Sequence, residues 1–374
     1  MLFDPYSHVY GGAQVTDHLL AAALPEHGWR LEIVTTGHGP FSERLERDGL
    51  PVTIEKPPGA LSHYGHATTG SRLVVALARL PGWWLRLARR FRRSRAEVVH
   101  VIDHRGLVLA AVPARLARAR LVWHVQAMEQ SRVLDRLGAA LAHEVVVPSE
   151  AVVRSLPGLE RARSLRTIEN VVPEHVRRDE PVPLVADPVV VTSARLHHDK
   201  GLDVLLEALA LVRAEVPGAR VKVVGPTQLG AEDVPKQLNE QAAALGVADG
   251  FELVGFVDRP QAVVAEARCY AQPSRERSET FGIAIVEAMA TGVPVVATDV
   301  GGVSDHVRND ETGLLVSPEA PAELAAALVR VLTDDDLARR LRDNAFALVS
   351  QRQYTPAGLA ESFAAAYEGR PARA

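Results

Sequence analysis
The stretch SETFGIAIVEAMATGVPVVATDVGG, residues 278 to 302, sets two glutamates, Glu279 and Glu287, eight positions apart in a segment that is otherwise small and apolar, and closes on Gly301-Gly302. Its middle, from Ile283 to Met289, reads as a helix, and VPVVAT (293–298) is a short β-branched run of the kind that forms a buried strand. Helix and apolar strand in alternation predict a parallel sheet with crossover helices. The alternation extends outward through LEIVTT (31–36), EVVHVI (97–102), LVWHV (121–125), EVVVPS (144–149), VVVTSA (189–194), VKVVG (221–225), FELVG (251–255) and CYAQPS (269–274). These runs are near-continuously apolar, as expected when both faces of a parallel sheet are covered. Only Met1 to Asp4 precede the PYSHVYGG loop, so the first strand is shorter than the usual five or six residues or the start is internal.

A chain of 374 residues, 47% hydrophobic and 24% charged, suits two cores better than one. The segment VVPEHVRRDEPVPLVADP, residues 171 to 188, is rich in Pro and charge and is the expected interdomain linker. The expected fold class is α/β, with two doubly wound Rossmann-like domains, residues 1–175 and 185–355, facing a central cleft. A C-terminal helix and tail, 356–374, is free to pack back on the first domain. In such sheets ligands bind outside the carboxyl ends of the strands, so functional residues belong in loops that follow strands. The formal net charge of −4 gives no global reason to bind nucleic acid. The single Cys269 rules out an internal disulfide and reads as a buried structural thiol among small and apolar neighbours. No apolar run reaches the ~18 to 20 residues of a membrane span, and no signal-peptide pattern opens the chain, so the expected location is the cytoplasm.

Arg195 and Lys200, in SARLHHDKGLDVLLEAL (193–209), stand between a strand and an amphipathic helix, where two cations and a helix N-terminus suit an anion; solvated surface charges are the alternative. Glu279 lies in a turn before a helix and alone would pass for a cap. Glu287 does not: Ile283, Ile285, Val286 and Met289 put it on a largely buried helix, where a lone charge is costly and needs a partner such as ligand hydroxyls. Asp334 to Asp336 precede an amphipathic helix and read as capping residues rather than a metal site.

These residues resemble the retaining GT-B glycosyltransferases of family 4, whose E-x7-E motif is matched by PSRERSETFGIAIVEAMATGVPVVATDVGG. Four residues separate Ser274 from Glu279 where three are more common, so Glu276 competes for the role. The run Glu279-x-Phe281-Gly282 and the offset to Glu287 favour Glu279. The resemblance continues through SARLHHDKGLDVLLEALA, VVGP, LVGFVDR, VPSEAV and YGGAQ, and so spans both domains. It implies transfer of a hexosyl group from a nucleotide diphosphate sugar, a UDP- or GDP-sugar, to an acceptor that is a small molecule, a glycan or lipid-linked. Glu287 would hold the ribose, and Glu279 would meet the transferred sugar beside the amides of Phe281, Gly282 and Ile283. Arg195 and Lys200 would bind the diphosphate, and Gly11 and Gly12 would let amides approach it from the first domain. Gly225 and the loop Gly255, Phe256 and Val257 would line the base. His124 matches a histidine near the donor sugar, with a satisfied core residue as the alternative. The resemblance implies front-face attack, with a donor phosphate oxygen taking the acceptor proton, no protein nucleophile, no metal and no cofactor beyond the donor. Asn170 is followed by Val171 where the family has glycine, so it takes no role.

Residues 81 to 97, PGWWLRLARRFRRSRAE, mix Trp83, Trp84 and Phe91 with six arginines. They suit peripheral contact with the inner face of an anionic membrane, or a helix packed through its aromatic side with a solvated basic face. Two rival functions stand beside the transferase: an epimerase acting on the donor alone, and a sugar or nucleotide sensor that keeps the cleft without catalysis. An oxidoreductase fits less well, because GHGPFS (37–42) has Ser42 where a dinucleotide fingerprint needs glycine.

Overall fold
The structure is a computed structural model that describes residues 1–8, 10–62, 71–128, 131–228, 230–352 and 354–370. The chain forms two units, Met1–Val171 with Thr355–Ala374, and Val172–Tyr354.

The first unit is a seven-stranded parallel sheet of β1 (Leu2–Asp4), β2 (Ile33–Thr35), β3 (Val52–Ile54), β4 (Val98–Ile102), β5 (Arg120–His124), β6 (Glu144–Val147) and β7 (Leu165–Thr167). Its order is β3-β2-β1-β4-β5-β6-β7, so successive strands run one way from β1 and the other way from β4. The short β1 is an interior strand of the sheet: Leu2 pairs with both Ile33 and His100, and all three of its residues are buried. The crossovers are α1 (Gly12–Ala23), α2 (Pro40–Arg47), α3 (Ser71–Arg93), α4 (Asp103–Ala117), α5 (Arg132–Leu141) and α6 (Glu150–Ser155). α3 turns Leu80, Trp83, Leu87 and Phe91 into a core shared with α4, β4 and β5.

The second unit is a six-stranded parallel sheet of β8 (Val189–Ser193), β9 (Arg220–Val224), β10 (Phe251–Gly255), β11 (Cys269–Gln272), β12 (Val295–Thr298) and β13 (Leu314–Val316), in the order β10-β9-β8-β11-β12-β13. Its helices are α7 (Leu202–Glu215), α8 (Val234–Ala244), α9 (Pro260–Val264), α10 (Ile283–Thr291), α11 (Pro321–Thr333) and α12 (Asp335–Arg352). The strand order reverses between β8 and β11, and crevices at such reversals are where open α/β sheets take ligands. Cys269 is buried at the start of β11, and burial pushes its thiol up to about 12, so it is inert at neutral pH. Asp334 Oδ1 accepts from the amides of Asp336 and Leu337, which makes it the cap of α12. The last helix, α13 (Pro356–Glu368), follows the second unit in sequence but packs on α1 and β5 of the first.

Candidate active site
Two loops meet where the second sheet reverses. After β8 the chain passes Arg195, makes a 3-10 turn at His198–Lys200, and enters α7 through Gly201 at φ +62°. A Cβ on Gly201 would stand 2.0 Å from the carbonyl oxygen of Pro273, in the loop after β11, so glycine is what lets these backbones touch. The contact delivers Lys200 to Glu279: Nζ donates to Oε1 at 2.7 Å and to the Ser278 carbonyl at 3.2 Å, with the two side chains only 10% and 11% exposed.

Glu279 is held from below as well. Ser274 Oγ donates to its Oε1 at 2.7 Å and Gln272 Nε2 at 3.1 Å, while Gln272 also donates to Ser274 Oγ at 2.8 Å. Tyr270 Oη in turn donates to Gln272 Oε1 at 2.6 Å, so the donors run in one direction from the strand interior to the carboxylate. Lys200, Ser274 and Gln272 all donate to Oε1, and among the described residues these donors leave Oε2 outside the network. Gln272→Leu removes the bonds that Gln272 donates to Glu279 and Ser274, each loss worth about 1–3 kcal/mol where the group is buried, while Tyr270 keeps Ser193 as a partner. We expect a fall in kcat larger than any rise in donor KM, with recovery in Gln272→Asn if the amide reaches. An unchanged kcat would show that Gln272 does not position Glu279.

The other expected donor-side residues line the same sheet edge. The amide of Gly302 donates to the carbonyl of Glu279 at 3.0 Å, which gives Gly301-Gly302 a place in this loop cluster. Gly282, at φ +84°, opens α10, and Phe281 is buried edge-on against His306 at 4.2 Å between ring centroids. Gly225 donates to the carbonyl of Gly255 at 2.9 Å, and a Cβ on it would lie 2.0 Å from the Ala194 carbonyl, so the loops after β8, β9 and β10 are tied together. Next to them Phe256 is 64% exposed, an uncommon state for a large aromatic.

Two expectations gain detail and one needs correction. Glu287 lies on a helix whose Ile285, Val286 and Met289 are buried, as expected, and burial pushes its carboxyl up to about 7, opposed by a hydrogen bond from the Gln261 side chain on α9. Arg195 and Lys200 are not a free cation pair. Lys200 is taken by Glu279, while Arg195 Nη2 lies 3.7 Å from Asp199 Oδ2 and its Nη1 contacts Gln228. His124 is 0% exposed, its ring packed 5.1 Å from Phe363 of α13 and 5.3 Å from His100, so it presents no surface to a sugar. Burial lowers it to about 3, and 3.9 Å away lies Asp17, whose carboxyl burial pushes well up.

Gly11 and Gly12 stand at the corresponding edge of the first sheet. The Gly11 amide donates to Gln14 Oε1 at 3.2 Å, and Gln14 Nε2 reaches Asp4 Oδ2 at 3.4 Å. Gly11 is extended, with φ −114°, so the backbone conformation does not itself demand glycine. Gln272 and Gln261 are the residues sequence reasoning missed; the signal for Gln272 was an amide inside an otherwise apolar strand end. In 81–97 the aromatic side is committed to the core, with Trp83 and Phe91 at 2% and 0% exposure. Among the described residues no helix is long and apolar enough to cross a membrane.

Comparison with known proteins bears on family and fold. Residues 11–170 match the glycosyl transferase 4-like domain, and residues 177–347 match the glycosyl transferases group 1 family. Across 92% of the chain and 88% of the relative, the sequence is 31% identical to a D-inositol 3-phosphate glycosyltransferase of Jonesia denitrificans. The chain belongs to the group 1 glycosyltransferases. A second D-inositol 3-phosphate glycosyltransferase, from Nocardia farcinica, is 39% identical over 50% of this chain and 43% of its own. The crystal structure of Anabaena HepE in complex with UDP-glucose superposes with a TM-score of 0.82 over 98% of this chain and 99% of that one, at 23% identity. This glycosyltransferase therefore has the GT-B fold of two Rossmann-like halves.

Proposed function
We propose that this glycosyltransferase moves a hexosyl group from a UDP- or GDP-sugar to an acceptor hydroxyl, with retention at the anomeric carbon and without a metal. The observation that carries the reading is the buried Glu279, fixed by Lys200, Ser274 and Gln272 at the reversal of the second sheet. Residues 185–355 take the donor and residues 1–170 the acceptor. The names of the relatives favour a small polyol phosphate such as an inositol phosphate as acceptor. Glu279 Oε2 accepts from a hydroxyl of the transferred sugar. Lys200 carries three donors, of which Glu279 and Ser278 take two, so the third serves the diphosphate together with Arg195 and the amides that open α10. Negative charge gathering on the leaving diphosphate is stabilised by these fixed groups. A phosphate oxygen of the donor takes the acceptor proton as attack comes from the same face. Phe256 offers the base a flat apolar surface.

Incubating candidate donors with inositol phosphates and reading the anomeric configuration of the product by NMR tests the reading. Epimerised sugar formed from donor alone, or an inverted product, would overturn it. Glu287 adds a pH signature. Ribose hydroxyls donate to its ionised form, so below about pH 7 donor binding should release a proton, and affinity should climb as pH rises to about 7 and then level. Folding stability runs the other way: a carboxyl that keeps its proton to about 7 when folded, against 4.5 when unfolded, loses stability as pH rises through that window. Calorimetry in two buffers of different ionisation heat measures the proton, and Glu287→Gln should abolish it. Proton release that survives in Glu287→Gln would assign it to another group.

A further inference from the structure
α3, α4 and α5 pack side by side, and their outward faces combine two properties rarely found together on a soluble surface. The first is apolar exposure: Val108, Val112 and Leu116 form a stripe on α4 at steps of four, flanked by Leu85 of α3 and by Val133 and Leu137 of α5, of which Val133 is 76% exposed. The second is charge of one sign. Arg86, Arg89 and Arg93 on α3, Arg118 after α4, and Arg132 and Arg136 on α5 are all exposed. The two carboxylates these helices carry, Asp103 and Asp135, are both buried, at 5% and 1%. Asp135 is taken by His104 at 2.6 Å. A chain with net charge −4 thus keeps one face free of exposed carboxylates among the described residues of three helices. The basic stretch noticed in the sequence at 81–97 supplies only one edge of this face, because its aromatic side is internal.

We propose that this face docks the first unit on an anionic phospholipid surface, with the arginines at the headgroups and Val112, Leu116, Val133 and Leu137 at the acyl boundary. The charge decides between occupants. A second copy of the same face would set arginine against arginine, and a nucleic acid would leave the apolar stripe without a partner; an anionic bilayer satisfies both parts. The proposal does not depend on the transferase reading.

The test is flotation of the full chain with phosphatidylcholine vesicles, with and without phosphatidylglycerol. Binding is expected only to the anionic vesicles, and it should weaken with salt. Each arginine near such a surface contributes roughly fivefold in partitioning, so the triple variant Arg89→Glu, Arg93→Glu, Arg136→Glu should lose at least about a hundredfold. Val133→Asp with Leu137→Asp should also release the protein, while thermal unfolding stays that of the unsubstituted chain. Absence of vesicle binding, or equal flotation of the unsubstituted chain and both variants, would overturn the proposal. So would a doubled mass in light scattering that Val133→Asp with Leu137→Asp abolishes, or binding to single-stranded RNA that this variant retains.

Discussion

The double variant Lys200→Met, Glu279→Gln is expected to be folded and inactive, whereas Glu279→Gln alone is expected to be both inactive and unstable. The ammonium and carboxylate are buried together at 2.7 Å, and removing one charge of such a pair leaves the other uncompensated at a cost of about 3–5 kcal/mol. Removing both charges lifts that penalty, so the double variant should regain most of the loss. Lys200→Met alone should cost less than Glu279→Gln, because Ser274 and Gln272 still donate to the remaining carboxylate. Activity follows a different rule: without the charges proposed to meet sugar and diphosphate, transfer should fall at least about a hundredfold in all three variants. Urea unfolding of the four proteins gives the coupling energy, and single-turnover transfer gives the rate. Additive stability losses would mean that the pair does not interact in solution. An active double variant would reduce Glu279 to a structural role.

Gly201→Ala should be among the most damaging single substitutions in the second unit. Its Cβ would lie 2.0 Å from a backbone carbonyl that cannot rotate away, at φ +62°, which alanine adopts only with strain. Together these should cost about 3 kcal/mol or more and separate the loops that bring Lys200 to Glu279. Gly230→Ala is the control, since Gly230 has φ +87° but nothing within 4 Å of its added Cβ, and should show the backbone strain alone, about 1 kcal/mol. Equal losses in the two variants, measured by urea unfolding, would show that the close approach to Pro273 is not what the glycine secures.

The alternation of apolar strands and helices was legible because both sheets are parallel and covered on both faces. Three strands escaped it. β3, β7 and β13 have three residues each and stand at the sheet edges, and the sequences VTI and LRT carry polar residues there because one side is open. The glutamates were legible as a pair, and their loop and helix follow from the glycines around them. Their partners were not. Lys200 lies 79 positions from Glu279, and Gln261 comes from a short helix whose proximity to α10 depends on how the strands are ordered. Local pattern shows that a buried carboxylate needs a donor; only the topology says which one reaches it. His124 shows the converse, a motif position whose surroundings are decided by a helix more than two hundred residues away.

That helix has a consequence for synthesis. Until α13 leaves the ribosome, His100 lacks its 2.8 Å bond to Tyr367, and His124 is not covered by Phe363. The whole of Val172–Tyr354 must be translated first, which at ordinary elongation rates takes about ten to forty seconds. The first unit to be made is therefore the last to be completed, and until then His100 and His124 lack their α13 partners. Slowing elongation within the second unit should lengthen that interval without altering any residue of the first.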